Sequence, residues 1–159
     1  MTKRAVVAVV AIALVVLWQA RLRRGEPSQE SAAIGAMRAI GSGQSDYAAT
    51  VGHGGYAGSL ATLATPCAGT SRAFVSPDLA SDPTFKDGYT ISLRPKPAAQ
   101  RVSSDCNGAA TYSGYYAIAK PTSPTREKRR AFATDETGSI WFDVNGIPPR
   151  PPFDGRVLR

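Results

Sequence analysis

The stretch whose reading decides the fold is SQESAAIGAMRAIGSGQSDYAATVG, residues 28–52. Its Gly-Ser-Gly at 41–43, followed by polar residues, raises the question of a phosphate-binding loop. A Walker-type loop needs Gly-Lys and then Ser or Thr after its glycines, and a dinucleotide loop needs a preceding strand; the stretch has neither. Instead Ile34, Met37, Ile40, Gln44, Tyr47 and Val51 recur at spacings of three and four, which puts them on one helical face. Arg38, Ser42 and Ser45 fall on the opposite face. The spacing predicts a partly buried amphipathic helix from Ser28 to Val51, with Ser28 placed to cap its start. Gly52 and the Gly54-Gly55 pair end it, because glycine adopts the left-handed conformation at low cost. Gly41 and Gly43 then read as small residues that let the helix approach a sheet or a neighbouring helix, at about 1 kcal/mol each relative to alanine.

Downstream the period changes. GYTISLRP, TYSGYYAIAKP, RRAFATDE and SIWFDVNG are short β-branched or aromatic runs bounded by Gly, Pro, Asp and Asn, and each reads as a strand. With Asp135 to Gly138 as a hairpin turn, Ala131, Ala133, Ile140 and Phe142 fall on a common face. Short connections between successive strands imply an antiparallel meander, and its apolar face needs the 28–51 helix as a cover. The tail, GIPPRPPFDGRVLR, is proline-rich and reads as extended or disordered, with no ligand role assigned to its PxxP spacing.

Upstream, MTKR precedes AVVAVVAIALVVLW, an uncharged run from Ala5 to Trp18, and QARLRR follows. A helix of that run reaches about 21 Å, short of the roughly 30 Å hydrocarbon core, and snorkelling of Lys3, Arg4, Arg21 and Arg23 extends it. Cleavage after Ala20 would put Trp18 where a signal peptidase wants a small residue, so an uncleaved anchor is favoured over a signal peptide. Basic residues on both sides leave its orientation open. The chain thus divides into an anchor (1–24), the amphipathic helix (25–52), sheet and loops of a head (53–145) and a Pro-rich tail (146–159). The fold class is α+β: an N-terminal membrane helix, and an amphipathic helix packed on a small antiparallel β-sheet.

Cys67 and Cys106 are the only two cysteines of the 159 residues, lie in Pro/Gly/Ser-rich surroundings and lack C-x-x-C spacing. A disulfide between them would stabilise the domain by about 3 to 4 kcal/mol and would need an oxidising compartment. Two separate buried thiols are the alternative. A net charge of +7 favours anionic partners, either a phospholipid surface or nucleic acid. REKRR concentrates Arg126, Lys128, Arg129 and Arg130 in a loop that neutralises DNA phosphates or is simply solvated. Tyr112, Tyr115 and Tyr116 would stack bases where exposed, although alternation sends some of them into the core.

Catalytic and metal patterns are weak. His53, the only histidine, sits in the turn-like GHGGY, no Ser-His-Asp set is singled out, and no enzyme or cofactor signature is present. Asp78, Asp82 and Asp87, and the DVNG at 143–146, offer hard oxygen ligands, but neither reproduces the twelve-residue calcium loop with its terminal glutamate. Turn chemistry accounts for these residues, and no metal site is assigned.

Taken together, the apolar N-terminus, the Ala-rich helix and the closing FATDETGSIWF resemble the type IV pilin and type II secretion pseudopilin superfamily. The matching positions are Glu30, Ser31, Met37, Arg38, Ile40, Tyr47, Gly52, Tyr56 and Leu60, then Thr134, Asp135, Gly138 and Ile140. They cover residues 28–64 and 129–143. The N-terminus departs from the family pattern: it has no Gly-Phe processing site and no acidic residue before Glu26 to pair with a neighbour's terminal amine. Some pseudopilins of this kind also hold calcium in a late loop. The resemblance implies a non-enzymatic structural subunit of a type IV pilus or type II secretion pseudopilus. Its helix would lie in the inner membrane, with the head exported to the periplasm or cell surface and self or other pilin-like subunits as partners. The alternative is a solitary membrane-anchored periplasmic binding module that contacts DNA through Arg126 to Arg130.

Overall fold

A computed structural model describes residues 29–123, 129–153 and 155–158. The apolar run Ala5 to Trp18, with the rest of the expected anchor, lies outside the described residues. Among the described residues no helix is long and apolar enough to cross a membrane.

Helix α1 spans residues 29–50. Met37, Ile40, Gln44 and Tyr47 are buried, Ile34 and Val51 pack against the core, and Arg38, Ser42 and Ser45 are exposed, as the spacing requires. Strands β1 (Tyr56–Ala57), β2 (Thr84–Lys86), β3 (Tyr89–Pro95), β4 (Arg101–Ser104) and β5 (Ala110–Tyr112) follow. Then come β6 (Tyr115–Pro121), β7 (Ala131–Asp135), β8 (Ile140–Asp143) and β9 (Arg156–Val157), while a short helix α2 (Leu60–Ala64) lies between β1 and β2. The main sheet has six antiparallel strands in the order β2-β3-β6-β7-β8-β9, and β1-β5-β4 form a second sheet. The described chain is therefore α+β, a helix on an antiparallel sheet.

Alternation along the strands divides the main sheet into two unlike faces. Tyr89, Ile91 and Leu93 of β3, Tyr115, Ala117 and Ala119 of β6, and Phe132 of β7 join Met37 and Ile40 in the core. The intervening residues Ser92, Arg94, Tyr116, Ile118 and Lys120 turn to the outer face, away from α1.

Three local readings are corrected. TYSGYYAIAKP is not one strand: it breaks at Ser113-Gly114, and its two parts, β5 and β6, belong to different sheets. Ala131 and Ala133 do not share a face with Ile140 and Phe142. Phe132 pairs Phe142 and Thr134 pairs Ile140, because the turn holds one more residue than DETG alone. Gly138, at φ 75°, adopts the left-handed conformation and donates to the Asp135 carbonyl, and Ser139, the added residue, flips the parity of β8. At the end of α1 the left-handed positions are His53 and Gly54, not Gly52. Gly52 is small for another reason: a Cβ there would lie 2.2 Å from the Gly55 carbonyl oxygen and 2.9 Å from the Tyr47 ring.

The second sheet is fastened to the C-terminal half of α1. Gln44 donates through Nε2 to the Ala57 carbonyl (2.8 Å) and accepts the Ala57 N–H on Oε1 (2.9 Å). Tyr47 donates its hydroxyl to Asp105 Oδ2 at 2.8 Å, while Asp105 Oδ1 accepts the N–H groups of Asn107 and Ala109. Beside Asp105 the Cys67–Cys106 disulfide is formed, with Cα atoms 5.6 Å apart.

Gly43 provides a test of the close approach. A Cβ there would sit 2.3 Å from the backbone oxygen of Phe74, whereas one at the exposed Gly35 meets nothing within 4 Å. Gly35→Ala should raise stability by about 0.5 to 1 kcal/mol, and Gly43→Ala should lower it by about 1 to 3 kcal/mol despite alanine's better helix propensity. Urea unfolding of the two variants checks the opposite signs. Replacing both Cys67 and Cys106 by serine should cost about 3 to 4 kcal/mol by the same measurement, from the loop of 39 residues of separation that the bond closes.

Candidate functional site

Two recesses lie on opposite faces of the main sheet. The first, of 320 Å³, runs between α1 and the β7–β8 turn, bounded by Arg38, Gly41, Ser42, Glu136 and Thr137. A Cβ at Gly41 would be 3.7 Å from the Tyr115 hydroxyl, so this recess exists partly because position 41 carries no side chain.

The second recess, of 500 Å³, lies on the outer face. Its floor comes from β3 and β6 through Ser92, Arg94, Tyr116, Ile118 and Lys120, and Pro148, Arg150 and Pro151 form a wall. Strand pairing sets the floor: Arg94 lies opposite Tyr116, and Ser92 opposite Ile118. Lys120 stands four residues beyond Tyr116 on the same face, about 13 Å along the strand. The wall is held by the end of the chain. Phe153 stacks on Trp141 with ring centroids 4.2 Å apart, and β9 pairs with β8. The tail read as extended or disordered is thus, in its described residues, an ordered wall with a closing strand.

The electrostatics of this groove are one-sided. Arg94, Lys120 and Arg150 line it, and among the described residues no acidic one does. Asp135 lies opposite Tyr116 on the neighbouring strand, but Lys96 Nζ sits 2.6 Å from its carboxylate and 2.6 Å from that of Glu136. Burial works to lower the Lys96 pKa; hydrogen bonds to Asp135 and Glu136, with their charges, outweigh it and raise the ammonium above its ordinary value. One ammonium offsets one of these two negative charges, and neither carboxylate is among the described residues that line the groove.

The sequence-derived candidates are dispersed. Arg126 and Lys128 lie outside the described residues. Arg130 is half-buried and turns inward, donating from its backbone N–H, Nε and a terminal NH2 to the Glu30 carboxylate at 2.7 to 3.0 Å. Its guanidinium also lies over the Phe132 and Phe142 rings. Arg129 is half-buried beside Gly88, its guanidinium 3.0 Å from where a Cβ would stand. Tyr115 is core, donating to the Asp135 carbonyl, while Tyr112 and Tyr116 are half-buried. His53 is exposed.

The aspartates are occupied locally. Asp78 is bound by Lys86 and Ser76, which hold its pKa below the ordinary carboxylate value. Asp82 accepts the Leu60 N–H, Asp87 takes the left-handed position before Gly88, and Asp143 accepts the N–H groups of Asn145 and Ile147. Among the described residues no group of three or more His, Cys, Asp or Glu is placed to hold a metal ion.

No family model matches the chain, and neither the curated proteins nor the solved structures yield a match.

Buried hydroxyls couple this architecture to pH. Burial pushes Tyr89 up to about 12, with the Glu30 charge adding to it. Burial likewise raises Tyr47, reinforced by its hydrogen bond to Asp105, and raises Tyr115, reinforced by the Asp135 charge. For groups with raised folded-state pKa values, the stabilisation is complete below the unfolded value, about 10 for tyrosine, and disappears as pH rises through the folded value. Alkaline titration should show loss of far-ultraviolet circular dichroism above about pH 10, coincident with a late rise in tyrosinate absorbance. Ionisation of every tyrosine before any loss of structure would contradict this.

Proposed function

We propose that this protein is a membrane-anchored, pilin-like structural subunit, with residues 1–24 as anchor and the disulfide-bonded head exported from the cytoplasm. The observation that carries the reading is the laying of a single long helix, whose N-terminal end leads towards the apolar run Ala5 to Trp18, across one face of an antiparallel sheet. Glu30 and Arg130, near the starts of the two segments of the sequence resemblance, bond to each other and fix the start of α1 to that of β7. The Cys67–Cys106 bond supports placement of the head in an oxidising compartment.

Mechanically, the anchor would hold the chain in the inner membrane, and lateral packing with other such helices would form the filament core. The recess beside Gly41 and Ser42 leaves part of α1 open to a neighbour. A solitary anchored binding module is favoured by a separate observation, the unbalanced positive groove on the outer face.

Fractionation of cells producing the full chain tests the proposal. The protein should sediment with the inner membrane and carry an oxidised Cys67–Cys106 pair, and a chain beginning at Glu26 should be released from membranes. Recovery of the full chain in the cytosol with reduced cysteines would overturn it. Cross-linking in intact cells separates the two readings: ladders of self-adducts support the subunit, and monomer alone supports the solitary module.

A further inference from the structure

We infer that the outer-face groove binds single-stranded nucleic acid, independently of whether the chain assembles into a filament. The side chains of Arg94, Lys120 and Arg150 line the groove without a hydrogen bond or ion pair among the described residues, none of whose carboxylates lines it. Three unmatched cations in one recess favour a ligand with repeated negative charge. The groove is not purely polar. Tyr116 lies directly across from Arg94, and Ile118 and the prolines of the wall add apolar surface.

A second aromatic extends this track. Phe85 is 74% exposed and, through Thr90, stands in the same cross-strand row as Lys120. Two strand spacings put it about 10 Å from Lys120, on the side of the sheet that α1 does not cover. An exposed phenylalanine on a short edge strand has no core to serve. Beside a line of cations it is a stacking platform, because every base presents a π-face.

The alternation of cation and ring favours unpaired bases over other anionic polymers. A duplex keeps its base faces stacked inside and offers such a groove only phosphates, and an acidic peptide has no flat ring to place on Tyr116 or Phe85. The location also differs from the 126–130 run suggested by the sequence. Arg130 there is tied to Glu30, whereas the groove cations have no such tie among the described residues.

The test uses the full chain in a non-ionic detergent and a fluorescent oligothymidylate of about 12 nucleotides, within the span of one single-strand-binding module. Anisotropy should show affinity falling with salt, and Arg94→Gln, Lys120→Gln and Arg150→Gln should each flatten the log–log slope by about 0.7. Arg94→Lys should keep the slope. Tyr116→Leu and Phe85→Leu should weaken binding by about five-fold or more and leave the slope unchanged. Thermal melts of each variant confirm that it is folded. Any of four results would overturn the inference: no binding at low salt; an unchanged slope in the triple glutamine variant; equal affinity for the corresponding duplex; or equal competition by polyglutamate at matched charge.

Discussion

The fold depends on a buried amide. Gln44 is fully buried in the middle of an otherwise apolar helix face, and an unpaired amide there would cost about 1 to 3 kcal/mol. It is paired on both atoms with one residue, Ala57, whose N–H and carbonyl point away from the β5 partner and towards the helix. The side chain thus acts as a further strand edge. It leaves β1 flanked by backbone on one side and a helix side chain on the other, so the second sheet cannot lift from α1 without exposing or orphaning these groups. Tyr47, one turn later, repeats the arrangement with Asp105, and the disulfide follows at the next residue. Helix, small sheet and the cross-linked loops are therefore fastened along one line.

Gly43 and Gly52 belong to the same constraint. At Gly43 the helix is held so close to its neighbour that the Phe74 backbone oxygen occupies the space of a Cβ, and at Gly52 the Gly55 oxygen of the following turn does the same. Gly52 lies beyond the last helical residue, whereas at position 43 helix propensity opposes glycine by about 1 kcal/mol. Close packing outweighs it, because a bulkier residue would separate the helix from Gln44's partners as well as from the core.

Much of the inner architecture is legible in the sequence because it rests on periodicity. Spacings of three and four fixed the face of α1 with Gln44 on its buried side, and β-branched runs located β3, β6, β7 and β8. Register was not legible. The parity of β8 turns on whether Ser139 belongs to the hairpin loop, and composition cannot count hydrogen bonds across a turn. Strands of two to four residues, such as β1, β2, β4 and β9, are too short to carry a periodic signal, and the partner of β1 comes from far along the chain. The candidate site was read less well, for a related reason. Clustering in sequence pointed to Arg126 to Arg130, whereas the groove gathers Arg94, Lys120 and Arg150 from two strands and the tail. The available clue was Arg150 within PPRPPF, flanked by prolines that make an extended wall and by an aromatic that can pin it.

The two faces of the sheet show why structure and recognition are compatible in so small a head. Each strand residue that enters the core sends its neighbours outward, so small and apolar choices at Leu93, Ala117 and Ala119 leave Arg94, Tyr116, Ile118 and Lys120 free of packing duty. Core positions answer to α1; outer positions answer only to solubility and to whatever the groove meets. Ala131 and Ala133 of β7 are the exception, buried although they point outward with Trp141. They are covered on the side where Phe153 stacks on Trp141, so the tail closes one half of the outer face and, at its margin, bounds the open half. The same chain segment therefore completes the fold and shapes the groove. A change at Phe153 should register in both, whereas one at Arg94 or Lys120 should register in the groove alone.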